Sequence, residues 1–212
     1  MPSKLITMVS LMVTISLFQC CKTNKVQLPT IANPVFQEED RKFADVYELL
    51  DGTWKGEFII YEDSKPRSLD ELNLKELTLE HIKTPSLKEI NRINVTQVYN
   101  SESPYYQTVK ITDYYPESDK KEISTGVNKV EGGKMWCIVR KPTETIIHEG
   151  STRGENTIIW QSKQEEPQKI EYFQETVDED SYEIIGYGYY SGDDTSLSPK
   201  LWFYSRYEKQ KL

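Results

Sequence analysis

From Thr53 to Tyr207 apolar and polar residues alternate with a period of two, in run after run, and prolines stand only between the runs. The runs cover roughly 53–61, 90–99, 105–114, 121–130, 134–141, 144–150, 156–162, 169–177, 182–190 and 200–207. Ile, Val, Thr, Tyr and Trp dominate them, the residues that suit a pleated, half-buried surface. Pro104, Pro116, Pro142, Pro167 and Pro199 fall at the joints, as do Gly132, Gly133, Gly154 and Gly192. Proline cannot donate to a ladder, so its absence from run interiors fits strands. Most joints are 2–8 residues long, which suits antiparallel hairpins and is too short for parallel crossovers. A meander of this kind has two edges to hide, and closing the sheet hides both. The expectation is an all-β chain, an antiparallel meander closing into a roughly ten-stranded barrel.

Ahead of the first run, Glu38, Glu39 and Asp40 supply first-turn acids, Phe43, Val46 and Leu50 follow at helical spacing, and Gly52 stands at the C-cap position. This predicts a short N-terminal helix, apolar on one face, that plugs or abuts the barrel. The one long interruption is 62–89, where Ser68 to Glu71 has a capping-box pattern and Leu69, Leu72, Leu77 and Leu79 allow a short helix to about His81. It is expected as an insertion or lid. Residues 36–212 form a single β-barrel domain in this reading.

The N-terminus is of another kind. Lys4 precedes an apolar run from Leu5 to Phe18, which ends at Gln19-Cys20-Cys21. A charged start, a short apolar stretch and a cleavage site describe a signal peptide over 1–19, and the run is too short to span a bilayer. The Leu-x-x-Cys ending resembles the lipobox of bacterial lipoproteins, with the looser consensus of the Bacteroidetes type. The resemblance implies a lipid on Cys20, with Cys21 as the alternative, and a flexible tether over 20–35. It also implies a location at the bacterial cell envelope, at the outer membrane and facing periplasm or surface, with the membrane itself as a partner through the lipid.

A second resemblance lies where the first strand opens, at Asp51-Gly52-Thr53-Trp54-Lys55-Gly56. It is similar to the start of calycin barrels: the lipocalins, fatty-acid-binding proteins and nitrobindin-like proteins. There a Trp lies across the closed end, Gly lets the chain turn into it, and in lipocalins an Arg late in the last strand packs over the Trp. The resemblance gives these closing roles to Gly52, Trp54 and Arg206. Nitrobindin-like proteins bind haem through a late His, but the histidines here are His81 and His148, so no haem or other cofactor is expected.

With Lys+Arg 26 against Asp+Glu 34 and a net charge of −8, the chain is poorly suited to neutralise phosphates, and no nucleic acid is expected. Two separated histidines and one cysteine beyond the anchor pair, Cys137, make neither a metal site nor a disulfide framework. Polar groups inside apolar runs are more informative. Arg140 shares parity with Trp136, while His148 shares parity with Ile146, and Trp160 lies on the next run. In a barrel alternate residues point inward, so an inward Arg140 with His148 would orient an anionic head group; the alternative is an Arg–Glu pair on the outer face. Eleven of 14 tyrosines follow residue 100, among them Tyr172 and Tyr187, with Gly186 and Gly188 interleaved. They either line a pocket or serve ordinary barrel packing. The ligand-binding candidates are therefore Trp136, Arg140, His148, Trp160, Tyr172 and Tyr187, for a small hydrophobic, amphipathic or anionic ligand and without catalysis. Two other readings are an interaction lipoprotein that binds an envelope protein through an exposed aromatic face, and a hydrolase or isomerase using Arg140, His148 and Glu149.

Overall fold

The computed structural model describes residues 29–211; the signal peptide expected over 1–19 and the lipid attachment expected at Cys20 or Cys21 lie outside them. Ten antiparallel strands close into one barrel: β1 (Gly52–Asp63), β2 (Leu87–Ser103), β3 (Tyr106–Tyr115), β4 (Lys120–Glu131), β5 (Lys134–Arg140), β6 (Thr145–Arg153), β7 (Thr157–Gln164), β8 (Lys169–Val177), β9 (Ser181–Tyr190) and β10 (Leu201–Lys209). Each strand pairs with the next in sequence, and β1 pairs with β10 from Trp54↔Lys209 to Glu62↔Leu201. The meander and its closure are as the sequence predicts.

One end of the barrel is plugged. The helix expected over 38–50 is two 3-10 turns, Glu38–Phe43 and Glu48–Leu50. The break falls at Asp45, which takes a φ of 60°, a left-handed conformation that Asp tolerates better than most residues. Asp40 is buried because its carboxylate accepts from the backbone amides of Gln37 (2.9 Å) and Gly133 (2.7 Å). Side-chain bonds of this kind compete with a continuous helix. Tyr47 and Leu50 enter the core beside Trp54, and the Tyr47 hydroxyl donates to the Lys129 carbonyl at 3.0 Å. Asp51 accepts from the Ser101 amide and hydroxyl and from Gln107 Nε2, which also donates to the Tyr47 carbonyl.

Trp54 is fully buried and donates its indole N–H to the Leu50 carbonyl at 2.6 Å. Gly52, with φ of 120°, makes the turn into β1 that a side chain would strain. The cation over the indole is not Arg206. Residue 206 falls on the outward parity of β10, opposite Glu57, and is exposed. Lys209, which pairs with Trp54 itself, places its Nζ 5.1 Å from the ring centroid.

The connection from β1 to β2 is shorter than 62–89, because β1 continues to Asp63 and β2 begins at Leu87. Helical structure within it is confined to Leu69–Glu71 and α1 (Leu79–Ile82). Leu77 and Ile82 pack on Ile159, Tyr172, Ile185 and Trp202, all on the outer face of β7–β10. The insertion thus clads the outer face of β7–β10. The tether expected over 20–35 is also in contact with the wall at its end: the Tyr106 hydroxyl donates to the Ile31 carbonyl at 2.8 Å, and Lys129 Nζ donates to the Ala32 carbonyl at 3.4 Å.

Inside, small residues make room for rings. A Cβ on Gly150 would fall 2.4 Å from the Trp160 ring and 2.9 Å from Met135. Gly150→Ala is therefore expected to lower stability by about 1–3 kcal/mol, the usual cost of overpacking. Its neighbour Ser151 is exposed, and Ser151→Ala should stay within about 0.5 kcal/mol. Urea midpoints of the two variants, at unchanged slope, check this.

Candidate functional site

Above the plug the barrel interior is aromatic. Phe58, Phe173 and Phe203 come from β1, β8 and β10, with Phe203 5.7 Å from Phe58 and 5.4 Å from Phe173 between ring centroids. His148 meets Phe173 edge-on at 5.5 Å. Phe58, Ile111, Cys137 and Phe173 all pack on the inner core yet remain partly accessible, so side chains do not fill this space. Nearer the plug stand Trp160, Tyr99, Tyr182 and Tyr207.

The wall of this chamber is parted at one place. The β6–β7 ladder runs from Arg153↔Thr157 only to Glu149↔Gln161. Beyond that point β6 continues beside β5 as far as Thr145, and β7 continues beside β8 as far as Gln164. The two strands diverge toward the end opposite the plug. A cleft of about 1010 Å³ opens there, lined by outward-facing Trp136, Tyr172 and Tyr187 and by inward-facing Ile146, Ser162 and Glu171. It therefore runs from the outer surface into the wall.

A charged cluster stands beside the cleft. Glu171 is 7% exposed; it accepts from the Tyr190 hydroxyl at 2.8 Å, and Lys169 Nζ lies 3.3 Å away. His148 Nε2 is 3.6 Å from the same carboxylate, too far for a hydrogen bond, and is otherwise buried without a partner. Burial is the largest influence on Glu171 and by itself would raise its pKa. His148, Tyr190 and Lys169 together outweigh it and hold the carboxyl below its ordinary value. Tyr190 is pushed up, by burial first and then by the adjacent Glu171.

Glu175 lies two inward positions deeper, sharing the inward parity of Phe173 and Val177. Burial pushes its pKa up to about 7, against the opposing influence of Trp160 and Tyr182. The Tyr182 hydroxyl is fully buried and falls short of hydrogen-bond geometry with any partner.

The expected ligand residues divide between the two faces. Cys137↔His148 is an inward pair, which turns Trp136, Ile138 and Arg140 outward. Arg140 is exposed and His148 is buried on the other side of the wall, so the Arg–His pair expected to orient an anion does not form. Glu149 also points outward, to Lys134 at 2.9 Å, and the set Arg140, His148 and Glu149 does not converge. Tyr172 and Tyr187 stack on the outer face at 5.2 Å, where the Lys75 backbone carbonyl of the insertion accepts from the Tyr172 hydroxyl; they line the cleft and not the chamber. Trp136 is on the opposite rim, and Trp160 is inside. The sequence reading missed Glu171, Glu175, Lys169, Tyr190 and the three phenylalanines. The signal was present as Glu171-x-Phe173-x-Glu175-x-Val177, two acids on one parity with two core residues.

No family model and no curated protein matches the chain. Among solved structures it is similar to a redesigned β-barrel, at 11% identity and a TM-score of 0.38, over 79% of this chain and 97% of that one. It is also similar to EF1p2_mFAP2b bound to DFHBI, at 9% identity and a TM-score of 0.37, over 79% of this chain and 99% of the other.

The inward-facing Glu175 gives stability a pH signature. A carboxyl whose folded pKa rises from 4.5 to about 7 holds its proton in the folded state after the unfolded chain has lost it. Stability tied to the neutral form is complete below about pH 4.5 and declines as pH rises through about 7, by on the order of 3 kcal/mol. Glu175→Gln should remove that decline and exceed the wild type in stability at about pH 8. Denaturant unfolding of both proteins at about pH 5 and 8 is the check, and parallel pH profiles would refute it.

Proposed function

We propose that this chain is a membrane-anchored lipoprotein of the bacterial envelope whose barrel holds a small amphipathic ligand and does no chemistry on it. The observation that supports it best is the chamber: apolar rings facing an incompletely filled interior, plugged at one end and approached at the other through the parted β6–β7 wall. Concave, mostly apolar sites with a few placed polar groups are what small-molecule binding requires. The opposite faces taken by Arg140, Glu149 and His148 speak against the hydrolase reading. The interaction reading calls for a contiguous aromatic surface. Among the described residues the exposed large apolar side chains include only Phe36 and Tyr114 as aromatics, and Phe36 packs on Tyr105. Anchoring rests on the Leu-x-x-Cys sequence alone.

Two measurements test this. Full-length chain made in a Gram-negative host and fed an alkyne fatty acid should incorporate label, and Cys20→Ser should abolish it; label lost only in Cys21→Ser would move the lipid by one residue. Native mass spectrometry of the purified protein should detect a stoichiometric small molecule that leaves on denaturation. Ile111→Trp, which fills the chamber from β3, should lower its occupancy by about tenfold, the loss of about 1.4 kcal/mol. An empty barrel carrying a protein partner would favour the interaction reading instead.

A further inference from the structure

The chain carries a net charge of −8, yet one outer face of the barrel is basic. Register sets Lys110, Thr125 and Arg140 in one outward row across β3, β4 and β5, with Val98 of β2 beside Lys110. In the next row Lys55 of β1 and Ile123 of β4 are separated by Thr96 and Thr112, and in the third Tyr114 pairs with Lys121. Lys55, Lys110, Lys121 and Arg140 are all exposed, and no acid stands among them. The ion pairs at the margins, Arg92–Glu57 and Lys129–Glu131, leave these four unpaired among the described residues. Glu117 and Asp119 lie beyond them, in the turn after β3. Val98, Tyr114 and Ile123, between the cations, are exposed large apolar side chains.

The described chain also begins on this face. A groove of about 410 Å³ is lined by Val98, Tyr106 and Val127, by both Lys110 and Arg140, and by Ile31. The Ile31 carbonyl accepts from the Tyr106 hydroxyl at 2.8 Å, and its side chain packs on the cluster of Tyr106, Val127 and Ile138. Cys20 stands eleven residues upstream, and an extended residue spans at most about 3.6 Å, so the two are never more than about 40 Å apart. A lipid at that cysteine would hold this wall close to the bilayer, while the opposite wall is reached only around the barrel.

We propose that the outer face of β2–β5 rests on an anionic phospholipid surface, with Lys110 and Arg140 against its phosphates and Val98 and Ile123 at the level of the head groups. The inference rests on the membrane-anchored reading and adds to it the orientation of the barrel. Each basic residue near an anionic leaflet contributes attraction that salt screens within a Debye length. Long Lys and Arg stems lie along apolar surface while their charged ends reach the phosphates. Anchoring the chain makes the contact intramolecular, so a modest surface affinity is enough to fix the orientation. An uncharged, zwitterionic surface would leave the four cations without a partner.

Vesicle co-sedimentation of the full chain tests this, with Cys20→Ser and Cys21→Ser introduced so that no attached lipid contributes. Vesicles of phosphatidylcholine with about one-third phosphatidylglycerol should bind at least about tenfold more tightly than phosphatidylcholine alone, and about 0.5 M salt should remove most of that preference. Lys110→Glu with Arg140→Glu should lower the preference by at least about tenfold. Lys65→Glu with Lys75→Glu makes the same change of net charge at exposed positions of the insertion and should alter it by less than about twofold. A footprint on the chain without these charge reversals removes any dependence on the variants' folding. Lysine acetylation read by mass spectrometry should fall at Lys55, Lys110 and Lys121 on the anionic vesicles relative to the zwitterionic ones, and stay unchanged at Lys65 and Lys75. Equal binding to the two vesicles, equal effects of the two double variants, or uniform acetylation would overturn the orientation and leave the anchor untouched. Anchoring itself stands or falls with the fatty-acid label at Cys20 or Cys21, which the vesicle experiment does not use.

Discussion

The pairing of β1 with β10 is the constraint on which everything else rests. It joins the first strand to the last, from Trp54↔Lys209 to Glu62↔Leu201, and turns an open meander with two sticky edges into a wall with an inside. Once the wall closes, every residue has one of two fates, and a shift of one position would exchange them. The plug secures that closure where it begins: the Leu50 carbonyl accepts from Trp54, and the Asp51 carboxylate holds Ser101 of β2 and Gln107 of β3. Asn128 Nδ2 of β4 donates to Gln107 Oε1 at 2.9 Å, so the polar ties extend across four consecutive strands.

Inside and outside also explain why two glutamates four residues apart on β8 differ so much. Glu171 has a lysine, a histidine and a phenol around it and stays charged at the mouth. Glu175 has only rings and phenols and is pulled toward its neutral form. The chain is the same and the pleat is the same; only depth within the barrel and the nearby donors differ. The charged group marks the entrance, and the neutralised one marks the interior.

The period-two pattern and the prolines between the runs made the barrel readable, because alternation and ladder donation are local properties. Strand faces were harder to read. On β5 both parities are apolar, since Met135 and Cys137 face the core while Trp136 and Ile138 pack on the outer wall with Tyr106 and Ile147. The insertion had the same effect on β8 and β9, whose outward Tyr172, Ile185 and Tyr187 look like core because Leu77 and Ile82 cover them. Arg140 and His148 were therefore grouped by nearness in sequence, when their strands' register separates them. Arg206 was misplaced for the same reason: its role belongs to Lys209, whose position opposite Trp54 follows only from the β1–β10 register. The departure of β6 from β7 has no marker in the residues themselves.

That departure partly undoes what closure achieves. Between Thr145 and His148 on one side and Ser162 and Gln164 on the other, backbone amides and carbonyls lack a partner across the seam. A second chain could add a strand there, the first step of edge-to-edge association. The stretch is short, and both of its ends are guarded: Pro142 and Glu144 precede β6, while Lys163, Pro167 and Lys169 flank the turn from β7 to β8. Prolines withhold a donor and charges resist burial against a neighbouring strand. The open seam is thus bordered by the residue types that discourage self-assembly.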